Sequence, residues 1–457
     1  MATNTNLGGV FTTDIDGAFS SNVYMSTENV VGIIFDTSVV GGFEKALGSG
    51  PAAKAFANGN VVELNSPKDY TEVGIDETLL AGIVKYHLDS FFSLAGSNQR
   101  LFVSFMNSDS DTEFEAIEKM QLAASGILYQ IGVWTGKPIA KKNTDGTYSV
   151  EAGSVISKLQ AMAELLGGKI GVTNYEGNAP LNIILNAPIL NEAEVDIKKL
   201  PDVNVLEAPK VSVIIGQAPS DNVHKIMYAV NHVTEPASFA IVGNIGAAMG
   251  CLAVAPANES IGHVKNYNLA TVMQQAELGF GSIVEDDENS CYDEAKSSFT
   301  NINTLGYTKR QDYIHKKGYI FTTNYDGLEN SIFFSCDQTL SSGDYRTISR
   351  CRVMHKSRRV VRRALLPYVN DDIEIDASTG KLSASTVASF QNVVLEALDA
   401  NMVEPGTTVP QISGRTCTID INQDILNTDK IDIDYRLVPH GCSSAIMVTE
   451  GFSSTSK

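Results

Sequence analysis

The sequence predicts an α/β protein joined to an α+β block. One or more N-terminal α/β domains would hold a mainly parallel sheet, a C-terminal α+β domain would follow, and extended arms suited to strand addition would close both ends. Three observations carry this. Short apolar runs alternate with helix-length segments from residue 30 to about residue 215, the pattern of a parallel sheet covered by helices. Beyond about residue 300 the order becomes strands, two helices and strands again. The first 25 residues are rich in Gly, Thr, Ser, Asn and Asp, with brief apolar alternations at Val10, Phe11 and Ile15. They read as an extended arm or, more plainly, as a frayed terminus.

In chain order, VVGIIF (residues 30–35) and LFVSFM (101–106) are expected as buried strands, with helices over 76–94 and 112–129. A strand over 131–135, a helix over 154–166 and strands over 181–185 and 211–215 continue the alternation. NSDSD (107–111) ends a strand, where a parallel sheet can bind a ligand. The simpler reading is a cap for the next helix. Residues 239–257 (FAIVGNIGAAMGCLAVAPA) approach membrane-spanning length, but Asn244, Pro256 and the lack of flanking Lys or Arg clusters favour a buried helix or helix plus strand. Within them GNIGAAMG (243–250) spaces its glycines as G-x-x-G-x-x-x-G, not as the dinucleotide fingerprint G-x-G-x-x-G. Small residues at such intervals let a helix pack tightly against its neighbour.

Residues 281–300 are acidic and polar, a surface connection. Beyond it, residues 318–324 (GYIFTTN) and 331–336 (SIFFSC) read as a strand pair around a YDGLEN turn. A helix over 385–403 and strands over 414–421, 430–438 and 445–449 complete the block. KIDIDYRLV, in the second of these, alternates as a half-exposed antiparallel strand should. The expected divisions are an arm at 1–25, outer α/β domain(s) at 26–300, an α+β domain at 301–440 and a C-terminal arm strand at 441–457, with Ile446, Met447 and Val448 at its centre.

Between the strand pair and the second helix lies the chain's strongest charge feature. Residues 343–367 carry eight basic side chains and no acid between Asp344 and Asp371, in a chain of formal charge −19. At about 100° per residue, Arg352, Lys356, Arg359 and Arg363 fall in one narrow arc, with Arg362 beside it. Val353, Met354, Val360, Val361, Ala364 and Leu365 fill a separate arc of about 140°. Asp344 is expected at the N-cap and Pro367 at the exit. The cationic arc is either a grip for an acidic partner or a solvated face, and His355 belongs to it rather than to a catalytic set.

Composition narrows the function. At 457 residues the chain can hold two or three domains. Its acidity argues against general nucleic-acid affinity, so an anionic partner would be met locally at the basic helix. The six cysteines and seven histidines are scattered, without CxxC pairs or ligand spacing, which reads as free thiols in a reducing compartment and no metal site. The polar N-terminus predicts no secretory signal, and the apolar segment no membrane insertion. No GxxxxGK[ST], GxSxG or HExxH occurs, so no catalytic residue and no cofactor is assigned.

The order of the C-terminal elements resembles that of contractile tail sheath proteins of phages, R-type pyocins and related injection systems. The matching run opens with Leu305-Gly306-Tyr307 and continues through GYIFTTNYDG and DYRTISRCRVMHKSRRVVRR. It then takes in LLPYVN, DASTGKLS, the helix ending at Met402, QDILNTDKIDIDYRLVPHG and AIMVTEGF. GGVF followed by VVGIIFDTS is similar to the family's opening, with Leu7 and Phe11 where proline and tyrosine are usual. AIEKMQLAASGILYQIGVWT and HVKNYNL resemble a branch associated with Bacteroidetes phages and prophages.

The resemblance implies a structural subunit, not an enzyme, that polymerises helically around a tail tube and contracts without a nucleotide cofactor. It implies tube, baseplate and tail-terminator proteins as partners, and a place in a virion tail or injection particle assembled in the bacterial cytoplasm. It also implies arms at Val10, Phe11 and Ile15 and at Ile446, Met447 and Val448 that exchange strands with neighbours. The helix of Arg352, Lys356, Arg359, Arg362 and Arg363 would face the tube or a neighbouring subunit. Charge reversal at Arg359 and Arg363 is then expected to weaken tube attachment and leave the fold intact. The alternatives are the sheath of a non-phage injection system or tailocin, a nucleotide-binding α/β enzyme, and a nucleic-acid-binding protein.

Overall fold

The structure is a computed structural model. It describes residues 27–76, 79–168, 179–187, 189, 195–215, 243–272, 283–284, 292–293, 298–299, 306–328, 330–403, 409–448 and 452. Val10, Phe11 and Ile15 lie outside the described residues.

The principal elements are β1 (Val31–Asp36), β2 (Val62–Leu64), α1 (Ile83–Ala95), β3 (Leu101–Met106), α2 (Glu115–Ala123), β4 (Gln130–Trp134), α3 (Val155–Gly168), β5 (Asn182–Asn186), β6 (Val211–Ile214), α4 (Ile245–Val254), β7 (Tyr319–Ile320), β8 (Thr322–Thr323), β9 (Phe333–Phe334), α5 (Ile348–Leu365), α6 (Ala384–Leu398), β10 (Ile412–Thr418) and β11 (Asp434–Pro439). Seven strands form one sheet in the order β7-β6-β5-β4-β1-β3-β2, parallel except for β2. Every residue of β1, β3, β4, β5 and β6 is buried, because helices cover both faces. That is why these strands appear in the sequence as apolar runs rather than alternations.

Gly32 of β1 points at Met120 of α2, whereas Gly132 of β4 points at Ile245 and Met249 of α4, so α2 and α4 lie on opposite faces. α4 is buried along its length from Ile245 to Ala253, a helix apolar all round between the sheet and α1. Its glycines make this possible. A Cβ on Gly246 would collide with the carbonyl oxygen of His87, and one on Gly250 would stand 3.0 Å from that of Phe91. The small-residue spacing is thus a helix-packing device. His87 is fully buried in α1 and accepts the Gly246 N–H at 3.3 Å, and burial pulls its pKa down to about 3.

Several boundaries differ from expectation. α1 begins at Ile83, not residue 76, because Gly82 adopts a left-handed φ of 87°. α2 begins at Glu115, where the Asp111 carboxylate accepts the N–H groups of Glu115 (2.7 Å) and Ala116 (2.9 Å), and it ends before the positive φ values of Ser125 and Gly126. GYIFTTN is two strands: β7 extends the large sheet, and β8 pairs with β9. Residues 445–448 form no strand with any described segment.

Two cores result. The large one surrounds the seven-stranded sheet and takes in Ile314, Phe334, Leu340 and Ile348 from beyond residue 300. The small one gathers Val353, Val361, Val394, Leu398, Met402 and Ile412 under α5, α6 and β10. Helix α5 belongs to both, so it joins the two parts of the chain.

Candidate assembly interface

Helix α5 starts one turn later than the acidic residue suggested. Its N-cap is Thr347, whose hydroxyl accepts the Arg350 N–H at 3.3 Å, and Asp337 supplies further acceptors to Ile348 and Ser349. Asp344 stands upstream of the helix and does not cap it.

Of the apolar arc, Val353 and Val361 enter the small core and Leu365 packs on it, while Met354, Val360 and Ala364 are half-buried. The cationic arc does not face outward as a whole. Arg352 has no exposed surface, and its guanidinium donates to the carbonyl oxygens of Leu252 (3.0 Å), Ala255 (2.9 Å), Pro256 (3.3 Å) and Glu28 (3.2 Å). Two of these belong to the C-terminal end of α4, where unpaired carbonyls and the helix dipole favour a cation. Burial lowers the Arg352 pKa, and Glu28 opposes that effect.

Lys356 pairs with the Glu28 carboxylate at 2.8 Å, both largely out of solvent. Arg359 lies 4.0 Å above the Tyr129 ring and donates to the carbonyls of Ile127 (2.9 Å), Leu128 (2.7 Å) and Pro180 (2.8 Å). His355 is buried and takes Lys210 Nζ at 2.9 Å. Burial, then the cations Lys210, Arg359, Arg358 and Arg352, hold its pKa well below the ordinary range, so the ring is neutral.

The expectation of one partner-facing arc is therefore corrected at Arg352, Lys356 and Arg359. These cations fasten α5 to the large sheet domain. Charge reversal at Arg359 would leave three carbonyls facing a carboxylate and could not leave the fold intact. Arg362 and Arg363, one turn on, are exposed, as is Arg358, which donates to the Gly167 carbonyl.

Glu28 was not singled out in the sequence. Besides Lys356 and Arg352 it engages Gln411, whose amide donates to Glu28 Oε1 at 3.1 Å across 383 positions of chain. An acid before a strand has no periodic signature, so only the folded chain reveals it.

The far end of the small core is incomplete. β10 and β11 pair only with each other among the described residues, and α6 covers one face. Tyr435 and Leu437 turn toward the core, while Asp434, Arg436 and Val438 are exposed, as the alternation predicts. A two-stranded sheet is marginal alone, and its outer edges take no strand from the described residues. Past it the chain leaves the body. Ile446, Met447 and Val448 are 78%, 93% and 80% exposed, and Phe452 is fully exposed.

The crevice at the C-terminal ends of β1, β3 and β4, where an open parallel sheet would bind a nucleotide, is filled by the chain itself. The buried Asp36 carboxylate accepts from Ser38 N (2.9 Å), Ser108 N (3.1 Å), Ser108 Oγ (2.6 Å), Thr135 Oγ1 (2.6 Å) and Gly136 N (3.2 Å). A Cβ on Gly136 would stand 2.6 Å from Val39. Among the described residues no cluster of His, Cys, Asp and Glu could hold a metal, and no helix is long and apolar enough to cross a membrane.

Comparison with known proteins follows the same lines. Residues 344–456 match the family described as DUF2586, C-terminal domain. The helical sheath of the anti-feeding prophage in its contracted state aligns at a TM-score of 0.54 and 12% identity, covering 99% of this chain and 100% of that one. A chain of the anti-feeding prophage baseplate aligns at 0.52 and 10%, covering 99% and 100%. The contracted PVC sheath complex of an extracellular contractile injection system aligns at 0.50 and 10%, covering 99% of each chain. No curated protein sequence matches. At these identities the likeness is one of fold: over its whole length the chain has the fold found in contractile sheath structures.

Proposed function

We propose that the chain is the structural subunit of a contractile sheath. It polymerises helically with copies of itself around a tail tube and contracts to drive the tube through a target envelope. The observation that carries this is the far end of the small core: a two-stranded sheet whose outer edges pair with no described strand, followed in the chain by an exposed apolar segment, Ile446 to Val448, that pairs with nothing described in its own chain. Such a segment satisfies another copy's edge by strand addition, with main-chain hydrogen bonds giving affinity and alternate side chains giving register. A head-to-tail contact of this kind repeats from copy to copy into rings or an open helix. The whole-length fold likeness supports the same reading.

In this reading residues 1–25, with Val10, Phe11 and Ile15, form the second exchanging arm. The part of the chain built on the large sheet lies outward, the part around the small core lies inward, and Arg362 and Arg363 are the cations of α5 left to meet the tube or a neighbour. Tube, baseplate and terminator proteins are the expected partners, the particle is put together in the bacterial cytoplasm, and the work of contraction comes from packing rather than from an enzymatic step. The second reading, a non-phage injection particle, is favoured by the likeness to the anti-feeding prophage and PVC sheaths.

The test is electron microscopy of the recombinant chain. Tubes or stacked rings are expected, and removal of residues 443–457 should leave folded monomers. Wild-type protein that stays monomeric at high concentration would refute the proposal.

A further inference from the structure

Glu28 is a buried carboxylate at the root of the N-terminal segment, 3% exposed, in the helical turn Thr27–Asn29 just before the central strand. Side chains of α5 and of the entrance to β10 converge on it. Its carbonyl accepts from Arg352 of α5, whose same Nη2 also holds the C-terminal carbonyls of α4. Its carboxylate pairs with Lys356 one turn further along α5 and accepts from Gln411, itself buried at the entrance to β10. The Gln411 N–H in turn is held by the Met402 carbonyl, in the helical turn Asp399–Val403 that follows α6.

A buried carboxylate is retained only where its partners are fixed, and α5, which supplies two of them, packs into both cores. From Glu28 onward the chain is committed to β1. Before it lies the segment 1–25 that the proposed function gives to a neighbouring subunit.

We infer that Glu28 is the anchor of the N-terminal arm, the residue that fixes where the arm leaves the body and passes a neighbour's pull into both cores through Lys356, Arg352 and Gln411. This rests on the assembly reading above. Its role is positional: Glu28 meets no neighbour, but an arm leaving from a loosened root would search a larger volume for the neighbour's sheet edge and dock with a higher entropic cost.

The test compares wild type with the double variant Glu28→Gln/Lys356→Met and with Arg359→Met. The double variant removes both charges of the Glu28–Lys356 pair together, and the Arg352 guanidinium keeps its four main-chain carbonyl acceptors. Arg359→Met loosens the same α5 junction without touching the root. Each unassembled protein is followed by thermal unfolding and by hydrogen exchange of the peptide covering residues 27–31, and assembly by the critical concentration for polymer in sedimentation. The double variant should unfold close to wild type, exchange at least about tenfold faster in residues 27–30, and need at least about tenfold more protein to polymerise.

Arg359→Met should unfold earlier and yet polymerise within about twofold of wild type. The inference is overturned if the double variant polymerises at the wild-type concentration, or if Arg359→Met raises that concentration as much as the double variant does. Wild type that forms no polymer would instead remove the assembly reading on which the inference stands.

Discussion

Arg352→Met separates a cation spent inside the chain from one kept for a partner. Methionine fills much of the same volume but donates nothing, so four carbonyl oxygens now 2.9–3.3 Å from the guanidinium lose their donor. Hydrogen bonds to a charged donor are worth about 1.5–3 kcal/mol each. Three of the four share one nitrogen, Nη2, so the gross loss falls well below four independent bonds. Relief from burying the cation returns several kcal/mol, which brings the net cost to about 3–5 kcal/mol. Urea unfolding of the unassembled subunit measures it, with Arg362→Met and Arg363→Met as exposed controls expected within about 0.5 kcal/mol of wild type. If Arg352→Met also stays within that margin, the guanidinium is not an internal clamp and the account of α5 is wrong.

Two further outcomes follow from the same packing. Gly246→Val would force side-chain carbons into the α1 backbone at His87, where no flexible group can yield. It should destabilise the subunit by at least about 3 kcal/mol in urea unfolding, and an unchanged midpoint would show that the α1–α4 contact is misplaced. Acid should also destabilise the unassembled fold. His87 is held neutral with a pKa of about 3 against an ordinary 6.5, so its contribution is complete above pH 6.5 and declines by about 1.4 kcal/mol per pH unit as pH falls toward 3. His355 is shifted in the same direction and adds to the slope. Replacing His87 with leucine should remove its share of the slope in unfolding followed from pH 7 to pH 4, and an unaltered slope would contradict its neutral burial.

The sheet was legible because fully buried parallel strands write themselves as apolar runs, and residues 101–106 were read at their true limits. The glycine spacing of α4 was legible as close packing because a fingerprint spacing was missing. The apolar arc of α5 followed from periodicity, but the destination of its cations did not. Arg352 and Arg359 donate to main-chain carbonyls of Leu252, Ala255, Ile127, Leu128 and Pro180, and a carbonyl acceptor leaves no mark on residue type. A pattern of charges along one helix shows which side chains share a face, not what lies opposite. Asp344 misled for a related reason: an acid near a helix start is a general preference, and Thr347 was placed to serve first.

The outer edges of β10 and β11, unpaired among the described residues, bear most directly on the central claim. A helical reconstruction of polymerised wild-type chain, at a resolution that traces strands, would show what lies against them. The account predicts main-chain pairing with terminal segments of other copies, among them the stretch carrying Ile446, Met447 and Val448. A polymer whose two-stranded sheets remain unpaired, with that stretch folded back on its own subunit, would contradict it.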